Sequence, residues 1–379
     1  MPERIYLDNN ATTLILPDVA EAMADAWQTA FANPGSQHGF GRDARRVLED
    51  SRDDIAGILD ATPSEVVFTS GGTESINTAI HGLTQGRTGT IALTAGEHPA
   101  TTAACKAVKE RGLQTVDLPV DGDGNLVAAA WPELPWDSLQ LVCVILAHNE
   151  TGVIQDLSEL GQLCEQHQVP LLIDAVQAVG KIPVSFRGLR ATALAFGAHK
   201  FHGPRGIGGL VIRESVRIPA FLEGGHQESG RRAGTEPVPL IAGMAAALRA
   251  FESGGKDRME KIQARRDQLQ SLLAESCAPV VVHGVEANRL PNTLSIAFPG
   301  ADGEAMLVNL DLAGVACSLG STCASGSAEP APSLLAMGIA PDVCTSSVRF
   351  SLSVLTTEDE VREAAGRIAE VVGGLRAGK

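Results

Sequence analysis

The sequence predicts an α/β protein, a mostly parallel β-sheet flanked by helices plus a smaller α+β C-terminal domain. Three observations predict it. Hydrophobic residues make up 44% of the 379-residue chain and charged residues 20%, enough apolar matter for a sizeable core. Short apolar or β-branched runs alternate with longer helical stretches, as the strands and crossover helices of a parallel sheet do. After about residue 240 the pattern changes to long helices and a mixed segment.

In order, residues 66–69 read as a strand and 73–83 as the helix after it. Residues 90–93, 114–118, 141–146, 171–173, 193–196 and 209–212 read as further strands, with helical patterns between several of them, notably 157–167. Two helices follow at 239–253 and 257–275, the second carrying Ile262, Leu269, Leu272 and Leu273 on one face. The last helix, 357–375, opens with Thr357 and Glu360 at capping-box spacing. The expected division is a large domain over 16–259 and a small one formed by 1–15 and 260–379.

The formal charge of −15 argues against nucleic acid or an anionic membrane as the primary partner. No apolar run approaches the roughly 18 residues of a membrane span, and residues 1–13 contain no apolar signal core. Seven cysteines without paired spacing do not form a secreted disulfide framework. No CxxC, HExxH or EF-hand spacing points to a metal. These features lead to the expectation of a cytoplasmic protein.

Four constellations carry chemistry. In Phe68-Thr69-Ser70-Gly71-Gly72-Thr73-Glu74 a strand ends, two glycines open the backbone and a helix begins, which makes a phosphate cradle or an ordinary capped turn. Asp174 closes the apolar run 171–173, where burial demands a cationic partner such as a protonated pyridine nitrogen. Lys200 follows a strand and precedes a Gly/Pro-rich turn, a setting that lowers a lysine pKa and suits a Schiff base. Cys323 stands in a run of Gly and Ser, which suits a nucleophile that must travel, whereas Cys143 lies inside an apolar strand. Together, the cradle, the strand-end Asp and the later Lys describe a pyridoxal-phosphate site.

With these residues, the sequence resembles the cysteine desulfurases of the NifS/IscS type, in the class V aminotransferase family of fold-type I pyridoxal-phosphate enzymes. The likeness runs through residues 6–13, 33–36, 69–74, Glu97-His98, 148–152, Asp174, Gln177, His199-Lys200, 231–236, Cys323 and 347–351. It implies a seven-stranded-type sheet and a small domain carrying the catalytic cysteine loop. By position, Lys200 is implied to hold pyridoxal 5'-phosphate and move protons at Cα, and His98 to stack on the ring. Asp174 is implied to keep the ring nitrogen protonated, and Gln177 to contact the ring hydroxyl side. Gly72, Thr73 and His199 hold the phosphate, with Thr235 supplied by the partner of a homodimer. Arg349 binds the substrate carboxylate with Asn149 near it, and Cys323 takes the sulfur of L-cysteine as a persulfide, releasing alanine. A protein acceptor such as an iron–sulfur scaffold then receives the sulfur.

Two residues depart from the family pattern. Gly197 stands where a Ser or Thr usually precedes the cofactor lysine by three residues, which removes one phosphate hydroxyl and implies weaker cofactor retention. Thr322 replaces a small Ala before the nucleophile, and a β-branched residue stiffens the chain there. The alternatives are a selenocysteine lyase or cysteine-sulfinate desulfinase on the same scaffold, and a catalytically degenerate binding or scaffold homologue.

Overall fold

Strand β1 (Ile5–Tyr6) and helices α1 (Pro17–Thr29) and α2 (Gly39–Ile58) precede the alternating segments. Those segments supply β2 (Val66–Thr69), β3 (Gly89–Thr94), β4 (Leu113–Leu118), β5 (Leu139–Ile145), β6 (Leu171–Asp174), β7 (Ala193–Gly197) and β8 (Gly208–Ile212). In the computed structural model, which describes residues 3–319 and 330–378, these seven strands form one sheet in the order β2-β8-β7-β6-β5-β3-β4. All neighbours are parallel except β8, which runs antiparallel to both β2 and β7. The mostly parallel sheet expected from the sequence is the one observed.

Successive side chains along a strand point to opposite faces, and here both faces are covered. Val67, Leu93, Cys143, Leu172 and Ala195 pack with α3 (Gly72–Leu83) and α4 (Pro99–Lys109). Phe68, Val144, Ile173 and Phe196 face α2, α5 (Ser158–Gln166) and the first half of α6 (Val238–Ser276). Burial on both sides explains why these strands read as continuous apolar runs.

The two helices expected at 239–253 and 257–275 are the two halves of α6, which breaks at Gly255 with φ 48° and ψ −144°, a left-handed φ that favours glycine. Before the break, Met244 and Leu248 belong to the sheet's core; after it, Ile262, Leu269 and Leu273 belong to a second core. That second core is built on β9 (Val281–Val282), β10 (Thr293–Ala297), β12 (Ser318–Leu319) and β13 (Ser347–Ser351), a four-stranded sheet in the order β12-β13-β10-β9. Helices α7 (Gly303–Leu312) and α10 (Glu358–Ala377) cover it, with α8 (Pro332–Ala336) and α9 (Pro341–Thr345) between them in sequence. The capping box is present: Glu360 N–H donates to Thr357 Oγ1 at 3.1 Å, and Thr357 N–H donates to the Glu360 carboxylate at 2.6 Å.

The N-terminal arm ties the two cores together. β1 pairs in parallel with β11 (Val315–Ala316), and Ser351 N–H donates to Leu7 O at 2.7 Å. The arm then crosses to the large sheet, where Thr13 N–H donates to His199 O at 3.0 Å. Among the described residues, no helix is long and apolar enough to cross a membrane.

Candidate active site

Ligands in open α/β sheets gather at the carboxyl ends of the strands, and this sheet opens there into a cavity of about 400 Å³. Gly72 and Thr73 reach it from the start of α3, His98 from the start of α4, Asn149 from beyond β5, Asp174 and Gln177 from the end of β6, and His199 and Lys200 from the turn after β7. Arg349 comes from β13 of the small sheet and closes the other side. Nine residues named from the sequence thus meet in one cavity, although they span most of the chain. Thr235 is exposed and does not line it. Cys323 and Thr322 lie outside the described residues.

Asp174 and Lys200 are the electrostatic centre. Asp174 is 5% exposed; its Oδ1 accepts the Val176 N–H at 3.0 Å, and burial pushes its pKa up to about 6. Lys200 Nζ donates to Asn10 O at 2.7 Å and Ala11 O at 2.9 Å, neither of them a carboxylate. Burial, reinforced by the charge of Arg349, brings its pKa down to about 8. A buried acid and a buried base displaced toward neutrality in one cleft mark a functional site.

The histidines are held neutral. Burial, with Lys200 nearby, brings both His98 and His199 down to about 4. His98 also caps α4: its Nδ1 accepts the Ala100 N–H at 3.1 Å, which leaves the ring proton on Nε2. His199 Nδ1 lies 3.3 Å from Thr12 Oγ1.

The cradle has room for an anion. Gly71 has φ 153°, and a Cβ built there meets nothing within 4 Å, so the N-terminus of the twelve-residue helix α3 faces open space. Glu74 braces the turn, accepting the Ser70 N–H at 2.7 Å and pairing with Arg232 Nε at 2.9 Å. A Cβ on Gly197 would sit 3.4 Å from Gly72 N, ordinary contact, so the missing hydroxyl has a place ready for it. Open donors at a helix start, a buried carboxylate with no ammonium or guanidinium bonded to it, and a lysine with a lowered pKa fit pyridoxal phosphate.

Arg349 differs from a free fork waiting for a carboxylate. Its NH2 pairs with Asp8 Oδ1 at 2.9 Å, and its NH1 with Glu150 Oε1 at 2.9 Å and with Asn149 O at 3.2 Å. Among the described residues, Nε has no partner. Arg349 is 5% exposed, and two carboxylates hold its charge in place.

Several participants were not assigned a role from sequence. Asp8 and Asn10 stand within the 6–13 motif and Glu150 within 148–152, but their roles depend on contacts across the two cores. Glu97 is a buried carboxyl whose Oε1 accepts the Ile145 N–H at 2.6 Å; burial and the neighbouring Asp174 raise its pKa well above the ordinary value. Lys181 stands four residues after Gln177, in the turns that follow β6.

The class-V aminotransferase profile matches residues 5–363. A cysteine desulfurase of Enterobacter agglomerans is 40% identical over 378 residues, covering 99% of this chain and 94% of that protein. The cysteine desulfurase NifS of Azotobacter vinelandii is 39% identical over 376 residues, covering 98% of this chain and 93% of that protein. Among solved structures, a NifS-like protein superposes with a TM-score of 0.92 at 33% identity, covering 98% of this chain and all of that one (100%).

Proposed function

Because the chain belongs to the class-V aminotransferase family, we propose that its cavity is the active site of a pyridoxal-phosphate-dependent cysteine desulfurase, with the nine residues gathered there sharing the chemical tasks. The overall reaction converts L-cysteine to L-alanine and leaves the sulfur on the enzyme. The observation that carries the assignment is the meeting of Asp174 and Lys200, a raised acid and a lowered base, with the Gly71–Thr73 cradle in one cavity.

Asp174 would pair with the cofactor's ring nitrogen, and Gly72, Thr73 and His199 would hold its phosphate. His98 would lie against the ring, and Gln177 would meet the ring hydroxyl. When bound, the cofactor supplies an electron sink at the substrate Cα. Lys200, with a pKa near 8, is partly neutral at working pH, so its Nζ can take the Cα proton and return one to the product. Arg349, with Asn149 beside it, fixes the substrate carboxylate and so aims the Cα–H bond at Lys200. The Cys323 thiolate attacks the substrate sulfur; the C–S bond breaks, an S–S bond forms, and alanine leaves after Cα and Cβ have been protonated. Ser318 pairs with Arg349 in the β12–β13 ladder, so the chain approaching Cys323 departs from the edge of the site, which supports that role.

The persulfide passes to a protein acceptor of the iron–sulfur scaffold kind, in the cytoplasm. The working unit is a homodimer in which Thr235 completes the partner's phosphate site. Its exposure supports this, as do Trp27, Phe31 and Phe40, each more than 60% exposed, with the two Phe rings 5.6 Å apart.

The direct test is release of alanine and sulfide from L-cysteine with a reductant. The wild type should give equal amounts and Cys323→Ala neither; alanine formation surviving in the variant would overturn the assignment. A second expectation concerns Gly197→Ser. The added hydroxyl beside Gly72 N should tighten cofactor binding about tenfold, the worth of one hydrogen bond to a charged group. Equilibrium dialysis with pyridoxal phosphate checks this, and unchanged affinity would refute it.

A further inference from the structure

Lys181 has no task in the chemistry above, yet its Nζ enters the same buried network as Lys200. That Nζ donates to Asn10 Oδ1 at 2.8 Å and to Gln177 Oε1 at 2.5 Å, both neutral amide oxygens. Asn10 is 1% exposed and Gln177 4%, so both amides are sealed from bulk water. Burial, reinforced by the charges of Lys200 and Arg349, lowers the Lys181 pKa well below the ordinary lysine value.

The donor–acceptor pattern allows one orientation of Gln177. Gln177 Nε2 donates to Asn10 O at 2.9 Å, and a carbonyl only accepts, so the atom facing the arm is the amide nitrogen and the atom facing Lys181 is the amide oxygen. Asn10 is pinned as well, since its Nδ2 donates to Thr293 Oγ1 at 2.9 Å and its Oδ1 accepts from Asn292 at 3.0 Å. With Oε1 tied to Lys181, the remaining N–H of Gln177 is the donor the cavity can use.

We propose that Lys181 is a positioning residue that locks the Gln177 carboxamide with an N–H available to the cavity, giving the site a fixed donor for the ring hydroxyl oxygen of the cofactor. The inference rests on the reading of Gln177 given under the proposed function. Without Lys181, the single bond to Asn10 O is left to hold the carboxamide against rotation, and each turn that brings its oxygen toward the ring oxygen replaces an attraction by a repulsion.

The test compares the affinity of cofactor-free protein for pyridoxal phosphate with that for the analogue lacking the ring hydroxyl. The wild type should prefer pyridoxal phosphate, and Gln177→Ala should abolish the preference. Lys181→Met should weaken pyridoxal phosphate binding about tenfold while changing analogue binding less than twofold. Lys181→Arg, which keeps a donor, should preserve the preference, and Lys181→Met should add nothing in the Gln177→Ala background. If Gln177→Ala abolishes the preference and Lys181→Met leaves it intact, the Lys181 proposal alone falls. If Gln177→Ala leaves the preference intact, the reading of Gln177 falls, and the proposal with it. Equal loss of both ligands in Lys181→Met and in Lys181→Arg would also overturn it.

Discussion

Asp174→Asn is expected to fold, to hold its cofactor weakly and to turn over L-cysteine roughly 10²–10⁴-fold more slowly, because removing one partner of a buried ion pair removes about 3–5 kcal/mol. The same substitution should stabilise the cofactor-free protein. Burial raises the Asp174 carboxyl from its ordinary 3.8 to about 6. Between those pH values the folded chain binds more protons than the unfolded one, so stability falls as pH rises through that window, by about 3 kcal/mol in all. The substituted carboxamide has no such titration and keeps one acceptor for the Val176 N–H. Lys200 acts in the opposite direction: its lowered pKa means the cofactor-free protein gains stability as pH rises from about 8 toward 10.5. Thermal unfolding of both cofactor-free proteins at pH 4 and 7.5 should show the variant's advantage only at the higher pH. Parallel curves would show that Asp174 is not buried as a charge.

Arg349→Lys is expected to raise the KM for L-cysteine at least tenfold while lowering kcat less. A lysine keeps the positive charge but not the planar array of guanidinium donors, which holds Asp8 and Glu150 and still has its Nε to offer a substrate carboxylate. Arg349 holds Asp8 and Glu150 through separate nitrogens, and one ammonium on a shorter reach cannot serve both at the same angles. Complete removal of the charge should act differently. Arg349→Met leaves the Asp8 and Glu150 carboxylates without their cation and should destabilise the fold by about 3 kcal/mol. Steady-state kinetics with L-cysteine checks the first expectation, and denaturant unfolding the second. An unchanged KM in Arg349→Lys would mean that the substrate carboxylate is held elsewhere.

How much of this was legible in the sequence depended on distance along the chain. Gly72, Thr73, Asp174, His199 and Lys200 each sit where a strand gives way to a turn, and a few adjacent residues encode such a boundary. The break in α6 was visible for the same reason, since Gly255 interrupts a periodic apolar pattern. Helices α1 and α2 escaped notice: α1 has no side-chain cap, and α2 is polar over much of its surface. The Asp8–Arg349 pair spans 341 positions, and the contact of Asn10 with Lys200 spans 190, so no local pattern announces either. Lys181 received no reading from the sequence, since its partner Asn10 lies 171 positions away. The role of Cys323 rests on sequence likeness, since it lies outside the described residues.

The N-terminal arm has a consequence for how the protein is made. Residues 8–11 place Asn10 O and Ala11 O on Lys200 and the Asp8 carboxylate on Arg349, yet the arm is anchored at Val315, Ala316 and Ser351. On the ribosome, the arm is made well before 315–316 and 351, the segments that complete its docking. The seven-stranded sheet can collapse while translation continues, since its strands end at Ile212. Until residues 349–351 emerge, that nascent sheet carries Asp174 and Lys200 without the arginine and the small-sheet anchors that complete their surroundings. The timing of translation therefore keeps the reactive lysine of a half-made chain apart from the groups that organise it for catalysis.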